Sequence, residues 1–226
     1  MIRAFLWLLA ATALYAAIFL LFPGIDRWVQ QGVVDADGQF LLAEVRWATL
    51  VNRSINLLMA AVLLVAGGLA IRTALAGPWH GIGLRAICYV AAVFLVGPVL
   101  LTNLVFKDQW GRARPIHVEA SPAVDIFTPP LVLSDACPRN CSFPSGDAAA
   151  AFALLAPAFI LPRRWRPLAI AAALAIGSFY GGIRILQGAH YFSDVLFAGL
   201  LSALVATGLH PVFFGRRARA APAESR

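Results

Sequence analysis

Six long apolar stretches constrain the fold of this chain more than any other feature of the sequence. They are residues 4–22, 55–71, 86–106, 148–161, 168–186 and 192–214. A helix that crosses a bilayer needs about 17–25 apolar residues, and the fourth stretch reaches this length only if residues 145–147 begin its helix. Because hydrocarbon offers the backbone no hydrogen-bond partner, every stretch is expected to be helical. The first stretch exceeds the ~7–15-residue core of a signal peptide, which favours a retained anchor.

The composition agrees with lipid as the solvent. Apolar residues make up 61% of the chain and charged residues only 13%, whereas soluble domains are about 25% charged. A water-soluble globule of 226 residues could not bury so much apolar surface, so the soluble and disordered classes are excluded. A net charge of +7 would suggest nucleic-acid binding in a soluble protein. In a membrane protein topology distributes the basic residues, and no nucleic-acid partner is predicted.

The arginines predict the orientation of the spans. With a cytoplasmic amino terminus, the cytoplasmic segments contain Arg3, Arg72, Arg85, Arg163, Arg164, Arg166, Arg216, Arg217, Arg219 and Arg226. The opposite face then holds the acidic residues Asp26, Asp35, Asp37, Glu44, Asp108, Glu119, Asp125 and Asp135. This is the positive-inside pattern. It predicts a multi-pass protein of a bacterial inner membrane whose outer segments face the periplasm.

The predicted fold class is all-α, a bundle of six transmembrane helices in a single domain over residues 1–214. Residues 23–54 are predicted to include an amphipathic interfacial helix after the first span. Residues 107–144 contain six prolines and are predicted to form an irregular outer loop. Residues 215–226 are basic and are predicted to form a disordered cytoplasmic tail.

Residues that can carry chemistry cluster at the outer ends of the predicted spans, where charge is costly and points to function. They are Lys107 and Arg114 after the third span, Ser145, Gly146 and Asp147 at the start of the fourth, Arg184 at the end of the fifth, and His190 and Asp194 at the start of the sixth. Because consecutive spans alternate in direction, these ends emerge on one face of the membrane. The pattern predicts a site that binds a phosphate group and attacks it.

Each component has a physical reason and an ordinary alternative. A helix that opens with Ser145 and Gly146 presents free N–H groups to an anion, and arginine offers a fork of donors that matches phosphate oxygens. His190 and Asp194 are four residues apart, so Asp194 can accept a proton from one ring nitrogen while the other acts as nucleophile. Singly, such a pair is more often structural, and an arginine at a span end usually reaches lipid headgroups. The conjunction of four span ends favours phosphate chemistry.

Three motifs in this order resemble those of the type-2 phosphatidic acid phosphatase superfamily of membrane lipid phosphatases. The first, lysine, six residues, then Arg-Pro, occurs as Lys107 to Arg114-Pro115. The second, Pro-Ser-Gly-His, occurs as Pro144-Ser145-Gly146-Asp147. The third, Ser-Arg, five residues, His, three residues, Asp, occurs as Ile183-Arg184, His190 and Asp194. The six-span layout also resembles the family over nearly the whole chain.

The resemblance implies a role for each matching position. The implied phosphate ligands are Lys107, Arg114, Ser145, Gly146 and Arg184. His190 would attack phosphorus to form a phosphohistidine, oriented by Asp194, and water would hydrolyse this intermediate. The family needs no metal or other cofactor, and here the fixed cations neutralise the charge. The implied partners are a lipid phosphate substrate and the surrounding membrane lipids.

Two positions depart from the motifs, and one of them bears on catalysis. Ile183 stands where the family has serine, and Asp147 stands where it has the histidine that protonates the leaving oxygen. An aspartic acid is mostly ionised at neutral pH and then has no proton to donate. Three alternatives follow for Asp147. It acts as general acid only once substrate is bound, or the enzyme is restricted to good leaving groups. In the third alternative, the chain is a catalytically silent protein that binds or transports a lipid phosphate.

Good leaving groups favour lipid A 1-phosphate or undecaprenyl pyrophosphate over phosphatidate, and a lipid like phosphatidylglycerol phosphate or phosphatidate stays a further candidate. The expected activity is a metal-independent hydrolase of lipid phosphates or pyrophosphates that acts at the periplasmic face. A lipid phosphotransferase that uses the same phosphohistidine is the alternative enzyme. Detection of a phosphorylated acceptor in place of free phosphate separates the two.

Two cysteines in the outer loop are candidates for a disulfide. Cys137 and Cys141 lie just before Pro144, in a compartment that permits oxidation. A bridge there would brace the loop that leads to the phosphate-binding turn. A zinc site with His117 is an alternative, but a fourth ligand is not evident.

Overall fold

The computed structural model describes residues 1–78, 82–119 and 126–215, and this part of the chain contains helices and no β-strand. The helices are α1 (Ile2–Leu21), α2 (Gly24–Gln31), α3 (Arg46–Ala76), α4 (Leu84–Gln109), α5 (Pro115–Glu119), α6 (Gly146–Ile160), α7 (Arg166–Leu186) and α8 (Phe192–Phe214). The all-α prediction is confirmed for the described residues. The predicted tail lies outside them beyond Gly215.

Five helices of the described chain, α1, α3, α4, α7 and α8, are long and apolar enough to cross a membrane. The predicted fourth span corresponds to α6, which is shorter and covers about 22 Å at about 1.5 Å per residue, against about 30 Å of hydrocarbon. It is interrupted at Ala153, because Pro157 lacks the N–H that would bond to the Ala153 carbonyl; Ala156 N–H donates to this carbonyl instead, at 2.9 Å. The count of six full spans is therefore not confirmed.

The outer segment after α1 differs from the predicted interfacial helix. Within residues 23–54, helix is confined to the short α2 and to the beginning of α3. In α2, Asp26 and Gln30 are buried. The Oδ1 atom of Asp26 accepts a hydrogen bond from Ser193 N–H at the start of α8, at 2.9 Å. Because its carboxylate is satisfied by protein groups, α2 packs onto the bundle, and an interfacial position is not confirmed.

The helix α4 carries the first motif at one end of the bundle. Its second half, Leu95–Phe106, is π-helical and contains Pro98. Asn103 Nδ2 donates to the Pro98 carbonyl at 2.8 Å. π-Helical turns are frequent at functional sites. Here the stretch ends directly before Lys107.

Close packing around α6 brings the motif-bearing ends together. The ring of Phe152 in α6 lies so close to Gly177 of α7 that a Cβ at Gly177 would overlap it. Gly199 of α8 contacts the same ring. In addition, α8 packs against α1, α4 and α6. As a result, the last turns of α4 and α7 and the first turns of α6 and α8 meet at one end of the bundle.

Candidate active site

A cavity of about 670 Å³ opens where these helix ends meet. Five of the residues singled out in the sequence line it: Lys107, Arg114, Gly146, Asp147 and Arg184. The other three, Ser145, His190 and Asp194, are buried behind its wall, with at most 1% of each residue exposed. The structure thus brings the three predicted cationic phosphate ligands to one cavity and places the predicted nucleophile next to it.

The start of α6 forms one wall of the cavity. Ser145 caps the helix, with its Oγ accepting from Ala148 N–H at 3.5 Å, so its hydroxyl supports the backbone turn. A Cβ on Gly146 would lie 2.8 Å from Asn103 Oδ1 and 3.3 Å from Lys107 Nζ. The missing side chain at Gly146 therefore lets the lysine ammonium approach the helix start, where an anion is favoured.

The two arginines of the motifs that line the cavity are held by fixed partners. Arg184 Nε lies 3.0 Å from Asp147 Oδ2, and Arg184 Nη1 donates to Gln187 Oε1 at 2.9 Å. Arg114 donates from Nε and Nη2 to the Asn140 carbonyl, at 3.2 and 2.9 Å. Burial and the nearby charge of Arg184 lower the pKa of Arg114. The two guanidinium groups are thus oriented before any ligand binds.

His190 is held in one tautomer by a backbone carbonyl. Its Nδ1 lies 2.6 Å from the Ser142 carbonyl oxygen, which can only accept, so Nδ1 carries the proton and Nε2 carries the free lone pair. Asp194 Oδ2 is 3.7 Å from the same Nδ1, too far for a hydrogen bond. Burial lowers the pKa of His190 to about 4, and the positive charges of Lys107 and Arg184 act in the same direction. The imidazole is therefore neutral and nucleophilic at pH 7.

Asp194 orients His190 through a third residue, which differs from the direct contact expected from the sequence. Its Oδ2 accepts from Ser142 Oγ at 2.5 Å and from Tyr191 N–H at 2.9 Å. Ser142 in turn supplies the carbonyl that holds His190. The carboxylate thus fixes Ser142, and Ser142 fixes the imidazole.

The sequence analysis missed Arg112, which is fully buried behind the site. Its Nη1 lies 2.5 Å from Asp194 Oδ1, and its Nη2 lies 2.8 Å from Asp26 Oδ2. It also donates to Ser193 Oγ at 2.9 Å and to the Thr128 carbonyl at 2.8 Å. The only sign of Arg112 in the sequence was its additional positive charge within the first motif. Its carboxylate partners lie 86 and 82 residues away, and no local spacing reveals such pairs.

The loop before α6 is fastened to α4. Cys137 and Cys141 form a disulfide with a Cα–Cα distance of 5.6 Å. Cys141 N–H donates to the Lys107 carbonyl at 3.1 Å, and Asn140 N–H donates to Asp108 Oδ1 at 3.1 Å. This loop therefore positions both Asn140, the acceptor for Arg114, and the turn that leads into Ser145.

The fold and the cavity define a helical membrane protein with a cavity lined by cationic side chains at one end of its bundle. The chain belongs to the PAP2 superfamily, whose family model matches residues 85–218. This region contains all three motifs, and the resemblance noted from the sequence is confirmed.

Three curated relatives carry the name lipid A 4′-phosphatase. The protein from Francisella tularensis subsp. novicida is 45% identical over 117 residues, which cover 51% of this chain and 53% of the relative. The protein from Rhizobium leguminosarum is 41% identical over 111 residues, 49% of this chain and 47% of the relative. The protein from Rhizobium etli is 39% identical over 111 residues, which cover 49% of this chain and 43% of the relative. The chain thus spans about half the length of the curated relatives it matches. No solved structure matches the chain.

Proposed function

We propose that this chain is a lipid phosphatase that hydrolyses the 4′-phosphate of a lipid A-type glycolipid. The observation that carries the proposal is the convergence of Lys107, Arg114 and Arg184 on one cavity beside the start of α6. The same cavity adjoins His190, a neutral imidazole with a defined free nitrogen. Membership of the PAP2 superfamily and the relatives named lipid A 4′-phosphatase support the reaction class and the substrate.

The choice of the 4′-phosphate replaces the preference for a 1-phosphate that was based on Asp147. The three relatives are named for the 4′ position. When a 4′-phosphate is hydrolysed, the leaving group is an ordinary sugar alkoxide, which needs a proton. We therefore no longer expect Asp147 to restrict the enzyme to good leaving groups.

In the first proposed step, Lys107, Arg114 and Arg184 bind the non-bridging phosphate oxygens. His190 Nε2 donates its lone pair to phosphorus while the bond from phosphorus to the sugar oxygen breaks. The Ser142 carbonyl stabilises the positive charge on the imidazole, because it accepts from Nδ1. The leaving sugar oxygen takes a proton from Asp147, which must be protonated when the phosphate is bound, or from water.

In the second step, water attacks the phosphohistidine, the bond from nitrogen to phosphorus breaks, and inorganic phosphate leaves. The electron pair returns to His190 Nε2, and the proton released by the water passes to Asp147 or to solvent. The same intermediate would serve a phosphotransferase if another alcohol replaced water. Hydrolysis is preferred because the relatives are named as phosphatases.

A catalytically silent lipid-phosphate binding protein is the second candidate, and one observation favours it. Asp147 pairs with Arg184 at 3.0 Å, so the residue in the position of the family's proton donor is engaged as a carboxylate. In that case the protein binds a lipid phosphate without hydrolysing it. Asp147→His introduces the missing proton donor and should thereby introduce turnover.

We further propose that the cavity faces the periplasm from a bacterial inner membrane. The arginines of the turn between α6 and α7 lie at the end of the bundle opposite the cavity, and the sequence has further arginines after Gly215, which fits the positive-inside pattern. The disulfide between Cys137 and Cys141 lies on the cavity side, where an oxidising compartment would maintain it.

The test is phosphate release by the purified protein from a panel of lipids. The panel contains diglucosamine lipids phosphorylated at position 4′ or position 1, phosphatidate and undecaprenyl pyrophosphate, with His190→Gln as the blank. We expect free phosphate from the 4′-phosphorylated lipid and an acid-labile phosphoprotein that is absent from the blank. Faster release from the 1-phosphorylated lipid would refute the proposed position, and binding without release from any lipid would establish the silent alternative. A phosphorylated acceptor in place of free phosphate would identify a transferase.

A further inference from the structure

The cavity extends well beyond the three cations of the motifs, along the outer part of α3. This helix has 31 residues and is about 46 Å long at about 1.5 Å per residue, which exceeds the hydrocarbon thickness by about 16 Å. Four polar residues of its first third lie on one helical face and line the cavity: Thr49, Asn52, Arg53 and Asn56. This part of α3 is therefore the segment that projects beside the site.

The α3 wall is connected to the phosphate-binding residues. Asn52 Nδ2 donates to Gln187 Oε1, the same oxygen that accepts from Arg184 Nη1 at 2.9 Å. One amide oxygen thus links α3 to the arginine of the third motif. A ligand held by Arg184 lies in the same cavity as the polar face of α3.

The charge of the cavity exceeds what one phosphate requires. Its charged lining residues are Arg53, Lys107, Arg114, Arg139, Arg184 and the single carboxylate Asp147. The three motif cations less Asp147 leave two positive charges, which match a phosphate monoester of about −1.5 to −2. Arg53 and Arg139 remain in excess. Within residues 1–78, 82–119 and 126–215, neither of these side chains forms an ion pair.

The volume of the cavity also exceeds the size of a phosphate group. At about 670 Å³ it lies in the range of about 300–1,000 Å³ that holds whole drug-sized ligands. Amide and hydroxyl side chains such as Asn56 and Thr49 contribute to its wall. Such a lining can form hydrogen bonds with the hydroxyl groups of a sugar. It does not favour a small glycerol headgroup.

We propose that Arg53 of α3 and Arg139 of the loop before α6 form a second anion subsite. It binds a further phosphate or carboxylate group on the sugar headgroup of the lipid whose first phosphate is hydrolysed. The proposal rests on the proposed phosphatase function. It makes Arg53 and Arg139 determinants of substrate specificity that no motif of the sequence indicates.

The experiment compares three lipid probes. All are diglucosamine lipids with a 4′-phosphate; one has no other anion, one carries a second phosphate at position 1, and one carries a carboxylate-bearing sugar instead. The measured quantity is kcat/KM for loss of the 4′-phosphate, identified by mass spectrometry of the product. The proteins are the wild type, Arg53→Gln, Arg139→Gln and the control Arg46→Gln, which changes the same charge two turns earlier on α3, outside the cavity wall.

The wild type should prefer at least one doubly anionic probe by about tenfold, since a charge-assisted hydrogen bond of about 1.5–3 kcal/mol corresponds to a tenfold effect or more. Arg53→Gln and Arg139→Gln should each remove most of this preference, and Arg46→Gln should retain it. Which probe is preferred identifies the second anion as phosphate or carboxylate.

Three results would overturn the subsite. They are a wild type that cleaves all probes equally well, an Arg53→Gln variant that loses the same factor on every probe, and an Arg46→Gln variant that loses the preference as strongly as Arg53→Gln. The last result would assign the effect to the general positive field of α3. Absence of phosphate release from every probe by the wild type would refute the proposed function itself.

Discussion

Replacement of Arg112 by methionine removes the cation from a fully buried charge network behind His190. Arg112, Asp26 and Asp194 all have side chains that are 0% exposed. Methionine fills a similar space but leaves two carboxylates without their cation, together with the Thr128 carbonyl and Ser193 Oγ that accept from Arg112. The variant therefore tests whether this network supports the fold at the site.

The expected loss of stability is large. Removal of one partner of a buried ion pair costs about 3–5 kcal/mol, because the other charge remains buried. Since Arg112 has two carboxylate partners, Arg112→Met should lower the free energy of unfolding by about 5 kcal/mol. Arg112→Lys keeps the charge but cannot reproduce the forked arrangement of guanidinium donors. The loss of one charge-assisted hydrogen bond should lower the free energy of unfolding by about 1.5–3 kcal/mol.

The assay is equilibrium unfolding in mixed micelles, followed by circular dichroism and by tryptophan fluorescence. Arg46→Met is the control, because Arg46 is exposed and surface changes stay within about ±0.5 kcal/mol. In the double variant with Asp26→Asn, one of the uncompensated carboxylates is absent, so its loss should be smaller than the sum of the single losses by about 1–3 kcal/mol. An Arg112→Met protein within about 1 kcal/mol of the wild type, or strictly additive losses, would refute the reasoning.

Three further predictions concern the cavity and its nucleophile. Because the pKa of His190 is lowered to about 4, its imidazole should stay neutral until the pH falls below that value. The NMR resonance of His190, identified by its absence in His190→Gln, should titrate near pH 4. A midpoint near 6.5 would contradict this. Gly146→Ala places a methyl group against Lys107 Nζ, so the inhibition constant of vanadate should rise about tenfold, while unchanged inhibition would show that the close approach is unimportant. Asp147→Asn removes a negative charge that competes with phosphate for Arg184, so inorganic phosphate should bind about tenfold more tightly; equal or weaker binding in a competition assay would count against the ion pair.

The class of protein and the location of the cationic site could be predicted from the sequence alone. Long apolar runs admit only helices in lipid, and this follows from local composition. The alternation of the spans then places Lys107, Gly146 and Arg184 at one end of the bundle without knowledge of the packing. Helix length was less predictable: α6 ends at Ile160, where the extended Leu161 precedes Pro162, and residues 46–54 extend α3 where an interfacial helix was expected.

How His190 is held and what surrounds the cations of the motifs depend on the tertiary packing. The Ser142 carbonyl on His190 and the bridge from Asp26 through Arg112 to Asp194 join residues that are far apart in the chain. Local periodicity does not indicate such pairs, because they depend on how α2, α8 and the loop before α6 pack against each other. The place of Arg53 in the cavity wall depends in the same way on the packing of α3, whereas the motif cations were fixed by their position at helix ends.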